Sequence, residues 1–255
     1  MRFFILKIGL FGQHKFAWYE TTNATYSDDC WRCPKCSRPV SYLRWQPPYE
    51  VALKQPRRVG DFVSGAGGCD FLISEPCLTL FESERFTGIE EVLPIIITRM
   101  GTTKAANSLE RPGLFGVYLV RSLTQLKYEE MGIVWGSPPK PDYCRLCGPG
   151  GGGIGGWRKR RERVVVDEAT WSGHDIFFAI NGPGTILLSE RAANAIIQRG
   201  LTNATLIPCE EAAFDFLAYS HCNHSGFAAI CPLCSTCCLF LELPKQVDCR
   251  TIEAI

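Results

Sequence analysis

The sequence has no surplus of charge and very few imidazoles. Its 27 Lys and Arg face 26 Asp and Glu, a formal charge of +1, which argues against a protein whose main business is coating nucleic acid or an anionic membrane; such a contact would have to be local. Only His14, His174, His221 and His224 are available as imidazoles, and none sits in a recognisable Cys/His protease motif. The glycine run from Gly148 to Gly156 lacks the Gly-Lys-Ser/Thr ending of a phosphate-binding loop. A long hydrophobic run is also missing. The longest uncharged stretch, Ser225 to Leu241, contains Pro232 and several Ser, Thr and Cys residues without a flanking basic cluster, so no membrane span or membrane partner is expected. At the N-terminus Lys7 interrupts the apolar residues and no small-x-small cleavage site follows, so no export signal is read. A reducing cytoplasm is then the default, and paired cysteines in that setting are thiols or metal ligands. No repeat of about 20–50 residues is visible.

What the sequence does have is sulfur. Fourteen cysteines occur in 255 residues that are 46% hydrophobic. A chain of this length can bury one sizeable core or two modest ones, so it does not need a disulfide scaffold, and the cysteines point to metal or redox chemistry. Cys33-Pro34-Lys35-Cys36 and Cys144-Arg145-Leu146-Cys147-Gly148 are two C-x-x-C knuckles. Two intervening residues make a tight turn that aims both thiolates at one ion, and two such pairs complete a tetrahedral zinc site. A glycine after the second Cys permits positive φ, a condition that Gly148 fits and Ser37 does not. The usual spacing between pairs is ~15–20 residues, so an ion held here would clamp distant segments, and its binding energy would become folding energy. Cys30-x-x-Cys33 is a competing pair; Cys33 and Cys36 are preferred because Pro34 helps set the turn. Cys231, Cys234, Cys237 and Cys238, with His221, Cys222 and His224, form a second, less regular Cys/His candidate.

The rest of the chain reads as α+β, a mixed sheet with few helices. A strand is expected over Met1 to Ile8, with further strands at Val40 to Trp45, Val92 to Thr98 and Leu114 to Val120. The clearest unit is strand Ile176 to Ile180, turn Asn181 to Gly184, strand Thr185 to Leu188, a helix from Glu190 to about Arg199 capped by Ser189 and closed by Gly200, and strand Ala204 to Ile207. One α+β domain is therefore expected over 1–211, with knuckles at 30–37 and 144–148 and a strand, helix, strand unit at 176–208. Residues 212–255 read as a Cys-rich appendage whose order is left open. Trp157 with Arg158, Lys159, Arg160 and Arg161 is a local basic run, which reads first as a solvated basic face and second as a contact for nucleic acid or an acidic partner. Glu90-Glu91, Glu129-Glu130 and Glu210-Glu211 lack a supporting motif and read as exposed charge.

Taken together, the starting strand, Cys33-x-x-Cys36, Cys144-x-x-Cys147-Gly148 and the closing unit Asp175-Ile176-Phe177, Ile186-Leu187-Leu188-Ser189-Glu190-Arg191 and Gly200-Leu201 resemble the double-CXXCG motif family of bacterial toxin-immunity proteins. The resemblance covers residues 1 to 211. The segment from Ser37 to Lys140 matches only in length and position, Ser37 stands where glycine is usual, and the tail has no counterpart. The resemblance implies a cytoplasmic, non-catalytic antidote that binds a cognate protein toxin, with a split zinc-ribbon-like four-Cys site (Cys33, Cys36, Cys144, Cys147) as scaffold. Trp157 and Arg158 to Arg161 are then candidate contacts with the toxin. The alternatives are a zinc-containing nucleic-acid-binding protein, with the basic run on phosphate, and a thiol redox protein with one exposed, low-pKa cysteine.

Overall fold

The computed structural model describes residues 1–9, 16–41, 43–54, 58–101, 110–136, 143–148, 158–182 and 184–215, with residues 158, 159, 214 and 215 confined to their backbone. Strand β1 (Phe3–Ile8) is buried along nearly its whole length, as an uninterrupted apolar run requires when it lies inside a sheet covered on both faces. It sits between β16 (Ile186–Ser189) and β17 (Ala204–Pro208), antiparallel to both, and β15 (Ile176–Ala179) and β12 (Arg121–Ser122) extend the sheet beyond β16 in the order β12-β15-β16-β1-β17. The β12–β15 pair is parallel, so this first sheet is mixed.

A second sheet has the order β6 (Phe62–Val63), β8 (Phe71–Ser74), β11 (Leu114–Leu119), β9 (Ile89–Pro94), all antiparallel. Among the described residues there are two α-helices: α1 (Glu75–Ser83) follows β8, and α2 (Glu190–Arg199) follows β16. Alternation along β1 divides the interior. Phe4, Leu6 and Ile8 face a core shared with both helices and with Phe62, Phe71 and Val117 of the second sheet. Phe3 and Ile5 face another core built on Phe177, Leu187, Met131 and Val164. The far side of the second sheet is covered by a third, of order β10 (Ile96–Met100), β5 (Glu50–Lys54), β2 (Trp18–Thr21), β7 (Gly65–Ala66), through Tyr19, Val51, Leu53, Leu72 and Leu93. Two small sheets complete the fold: β3 (Thr25–Tyr26) with β4 (Trp45–Gln46), and β13 (Val134–Trp135), β14 (Arg158–Arg161), β18 (Phe214–Asp215).

The architecture is thus α+β, with several mixed sheets and few helices. The unit from Ile176 to Pro208 forms as its sequence predicts: Ser189 accepts from Ala192 N–H as the N-cap, and Gly200 closes the helix at φ +69°. Three expectations need correction. The run from Val92 to Thr98 is two strands, β9 and β10, broken at Ile95, whose N–H turns to Leu114 O. Val40 to Trp45 is not a strand; Val40 instead closes a tight hairpin onto Trp31 O. Helix α1 was not anticipated, because Pro76, Cys77 and Thr79 dilute its apolar period. The start signal was nonetheless there: Ser74 accepts from Cys77 N–H, with Glu75 in the first turn and proline just inside. No helix among the described residues is long and apolar enough to cross a membrane. Residues 216–255, with the second Cys/His candidate, lie outside the described residues, as does the glycine run from residue 149.

Candidate metal centre

The first knuckle is the tip of the hairpin between β3 and β4. Arg32 bridges to Pro39, and Trp31 N–H donates to Ser41 Oγ at 2.8 Å. Inside it Cys33 N–H bonds Arg38 O and Ser37 N–H bonds Cys33 O, each at 2.8 Å. The second knuckle lies between β13 and β14 and repeats this turn, with Gly148 N–H on Cys144 O at 2.8 Å. The residue after each second cysteine is left-handed, Ser37 at φ +58° and Gly148 at φ +68°. The expectation that Ser37 does not fit this position is therefore corrected: the turn imposes the conformation, and serine occupies it under the strain that a Cβ brings.

The two tips meet. The Sγ atoms of Cys33, Cys36, Cys144 and Cys147 all lie within 4.8 Å of one another. Cys33 Sγ is 3.8 Å from Cys144 Sγ, and Cys36 Sγ is 3.6 Å from Cys147 Sγ. These separations are far from the ~2.05 Å of a disulfide. A tetrahedron with metal–sulfur bonds of ~2.3 Å has sulfur–sulfur edges of about 3.8 Å, so the four atoms stand where one metal ion would need them. Cys30 is not in the cluster, which decides between the two overlapping pairs for Cys33 and Cys36.

Cys33 and Cys147 are buried, Cys144 is half-buried and Cys36 is exposed, so one corner of the site faces solvent. Burial would raise the Cys144 thiol, but the N–H groups of Cys147 and Leu146 outweigh it and bring it down to about 7. Burial pushes the Cys147 thiol up, and the neighbouring sulfurs push it further. Thiolates this close would repel one another, and a cation between them would relieve that repulsion. The buried thiols elsewhere behave as ordinary core residues: burial raises Cys69 and Cys209 to about 12 and raises Cys77 as well.

The site is seated on the end of β15. Ile180 packs with Cys33 and Cys147, flanked by Trp31, Val40 and Leu146. Buried Asn181 fixes this seat, since its Oδ1 accepts from Leu126 N–H at 2.7 Å, its Nδ2 donates to Leu126 O at 2.9 Å, and its own carbonyl accepts from the Tyr128 hydroxyl. Gly148 approaches so closely that a Cβ there would lie 2.8 Å from Asn181 Cβ and 3.2 Å from the Tyr128 ring. Asn181, Tyr128 and Ile180 were not singled out from the sequence; a polar Asn after an apolar strand reads there only as a turn.

The basic run is only partly placed. Trp157 lies outside the described residues, and Arg158 and Lys159 are described as backbone on β14. Arg160 is exposed, whereas Arg161 is half-buried and its Nε donates to Ala212 O at 3.3 Å. The paired glutamates are all exposed, and Arg44 is ion-paired to Glu90 and Glu91 while Arg2 is ion-paired to Glu210 and Glu211. His174 is half-exposed, and its carbonyl accepts from Trp171 Nε1. Searches against protein-family models and against curated proteins find no match to this chain.

Proposed function

We propose that this protein is a cytoplasmic, non-catalytic antidote that binds a cognate protein toxin, and that its four-sulfur site holds a structural Zn²⁺ through Cys33, Cys36, Cys144 and Cys147. The supporting observation is the meeting of the two C-x-x-C knuckles, because these are the residues that carry the resemblance to the immunity family. Four cysteine ligands with tetrahedral spacing suit zinc or iron, and a closed all-protein set is the pattern of a structural zinc. The ion would supply cross-linking and charge neutralisation, while the chain's own residues, Ile180 and Asn181 beneath the sulfurs, hold the knuckles in register. Exposed Arg160 on β14 is the described member of the basic run Trp157 to Arg161 that the sequence offers as the toxin contact.

Two measurements test this reading. Elemental analysis of the purified chain should give one zinc per chain and no iron. Co-expression with the product of the neighbouring open reading frame should relieve the growth arrest that product causes alone, and the two proteins should co-purify in a one-to-one complex. A zinc-loaded chain that neither protects nor binds that product would remove the antidote reading, and salt-sensitive co-purification of nucleic acid would replace it with the nucleic-acid alternative.

A further inference from the structure

The two knuckles share more than a motif. Cys33 and Cys144, like Cys36 and Cys147, are 111 residues apart, and the same spacing, drifting by only a few residues, relates much of the remaining fold. The second sheet runs β6-β8-β11-β9 and the core of the first runs β15-β16-β1-β17. The registers correspond. Phe115 of β11 faces Ile73 on one side and Pro94 on the other, as Phe4 of β1 faces Leu188 and Pro208. Each sheet sends one strand into a helix capped by serine, Ser74 for α1 and Ser189 for α2. A left-handed residue follows each helix, Arg85 just beyond the cap of α1 and Gly200 as the cap of α2, and after it comes the same backbone bond, from Phe86 N–H to Phe81 O and from Leu201 N–H to Ile196 O.

The polar contacts repeat crosswise. Asp61 accepts from the Ser74 hydroxyl at 2.7 Å and from the N–H and hydroxyl of Thr202, which follows the other helix. Asp175 accepts from the Ser189 hydroxyl at 2.8 Å and from the N–H and hydroxyl of Thr87, which likewise follows the other helix. Even the return bonds match, from Asp61 N–H to Thr202 Oγ1 at 3.0 Å and from Asp175 N–H to Thr87 Oγ1 at 3.1 Å. Reciprocal contacts of this kind, i to j and j to i, are what a two-fold interface between identical units produces.

We infer that the chain is one module used twice, residues 3–94 and 114–208, that the copies exchange their first strands, and that the four-sulfur site lies on the pseudo-two-fold axis between them with two ligands from each. Among the described residues β1 pairs only with strands of the second copy and β11 only with strands of the first, which is the topology of a strand-swapped dimer with its two chains fused. The partner each module fits is a second copy of itself, and the metal centre belongs to their interface. This rests on the metal reading for the site but not on the antidote role.

Equivalent copies can be joined in either order. The start of the first module and the end of the second lie near each other, since Arg2 Nε is 2.6 Å from Glu210 Oε1. The test is a full-length circular permutant that opens within residues 102–109 and joins Ile255 to Met1, compared with the native-order chain cut after folding at a protease site inserted at the same place. The cut chain should remain a one-to-one complex of its two fragments. The permutant should be soluble, with no loss of metal stoichiometry and with native amide protection in β1 and β11. Separation of the cut fragments, each folded or each with its own metal, would overturn the exchange. Failure of the permutant while the cut chain stays intact would overturn the equivalence. If neither chain takes up metal but both keep protected β1 and β11, the modules stand and only the metal reading falls.

Discussion

Ser37 and Gly148 occupy the same place in the two knuckles with different side chains, so they offer a paired test of what the turn demands. Both are left-handed. A Cβ in that region costs ~1–2 kcal/mol, of which glycine's greater freedom in the unfolded chain returns part. Ser37→Gly is expected to stabilise the metal-loaded chain by about 0.5–1 kcal/mol, read as a rise in urea midpoint at unchanged slope. Gly148→Ala has the opposite sign: the backbone is again left-handed, and the new Cβ would also meet Asn181 Cβ at 2.8 Å. It should lose about 2 kcal/mol or more and bind less metal. A stabilising Gly148→Ala would mean that the knuckle does not sit on Asn181. The sequence showed which residues form the turn, but serine at the left-handed position did not announce itself, because that conformation is imposed by the turn's own bonds, Cys33 N–H to Arg38 O and Ser37 N–H to Cys33 O.

At the scale of elements, helix α2 and its flanking strands were legible almost residue by residue: cap, acidic first turn, apolar stripe and closing glycine all agree. Helix α1 was hidden, as it carries Pro76, Cys77 and Thr79 where α2 has Arg191, Ala192 and Asn194, and its apolar stripe is less regular. What neither pattern displays is the carboxylate behind each N-cap. Burial would raise Asp175, but bonds from Arg191, Thr87 and Ser189 overcome it and hold the carboxyl below its ordinary 3.8. Asp61 is lowered in the same way by Ser74 and Thr202. A carboxyl depressed in the folded state contributes stability that is complete above its unfolded pKa and lost as pH falls through the folded one. Urea midpoints should therefore decline below about pH 4, and the double variant Asp61→Asn, Asp175→Asn should flatten that decline. At neutral pH each single variant should lose about 1–3 kcal/mol, with Asp175→Asn the larger because Arg191 Nε and Nη2 also reach Asp175, at 3.2 and 2.5 Å. Equal midpoints for wild type and Asp175→Asn at pH 7 would show that the carboxylate is dispensable to the cap.

For the whole molecule, the sequence disclosed the four clustered cysteines but not the symmetry behind them. The knuckles share their cysteines, as a metal ion held between them would require. The sheets kept only apolar character, which many residues satisfy: Phe4 corresponds to Phe115, but Leu6 corresponds to Val117 and Ile8 to Leu119. A repeat of more than a hundred residues held together by so few identical positions escapes a search for short periods. The division of the interior then predicts how the molecule fails without metal. The central core joins β1, β8, β11, β16 and both helices through buried side chains that do not touch the sulfurs, whereas the knuckles rest on a small cluster around Ile180. Cys33→Ser and Cys144→Ser, which remove equivalent ligands, should reduce zinc content and soluble yield to the same degree, as should Cys147→Ser. In whatever folded fraction remains, or after chelation of the native chain, amide exchange should quicken first at residues 30–41, 143–148 and 180–182 while β1 and β11 stay protected, because local opening follows the loss of local contacts. Unchanged zinc stoichiometry in any of the three variants would remove that cysteine from the site, and simultaneous loss of protection throughout both sheets would show that the ion, rather than the shared apolar core, holds the two halves together.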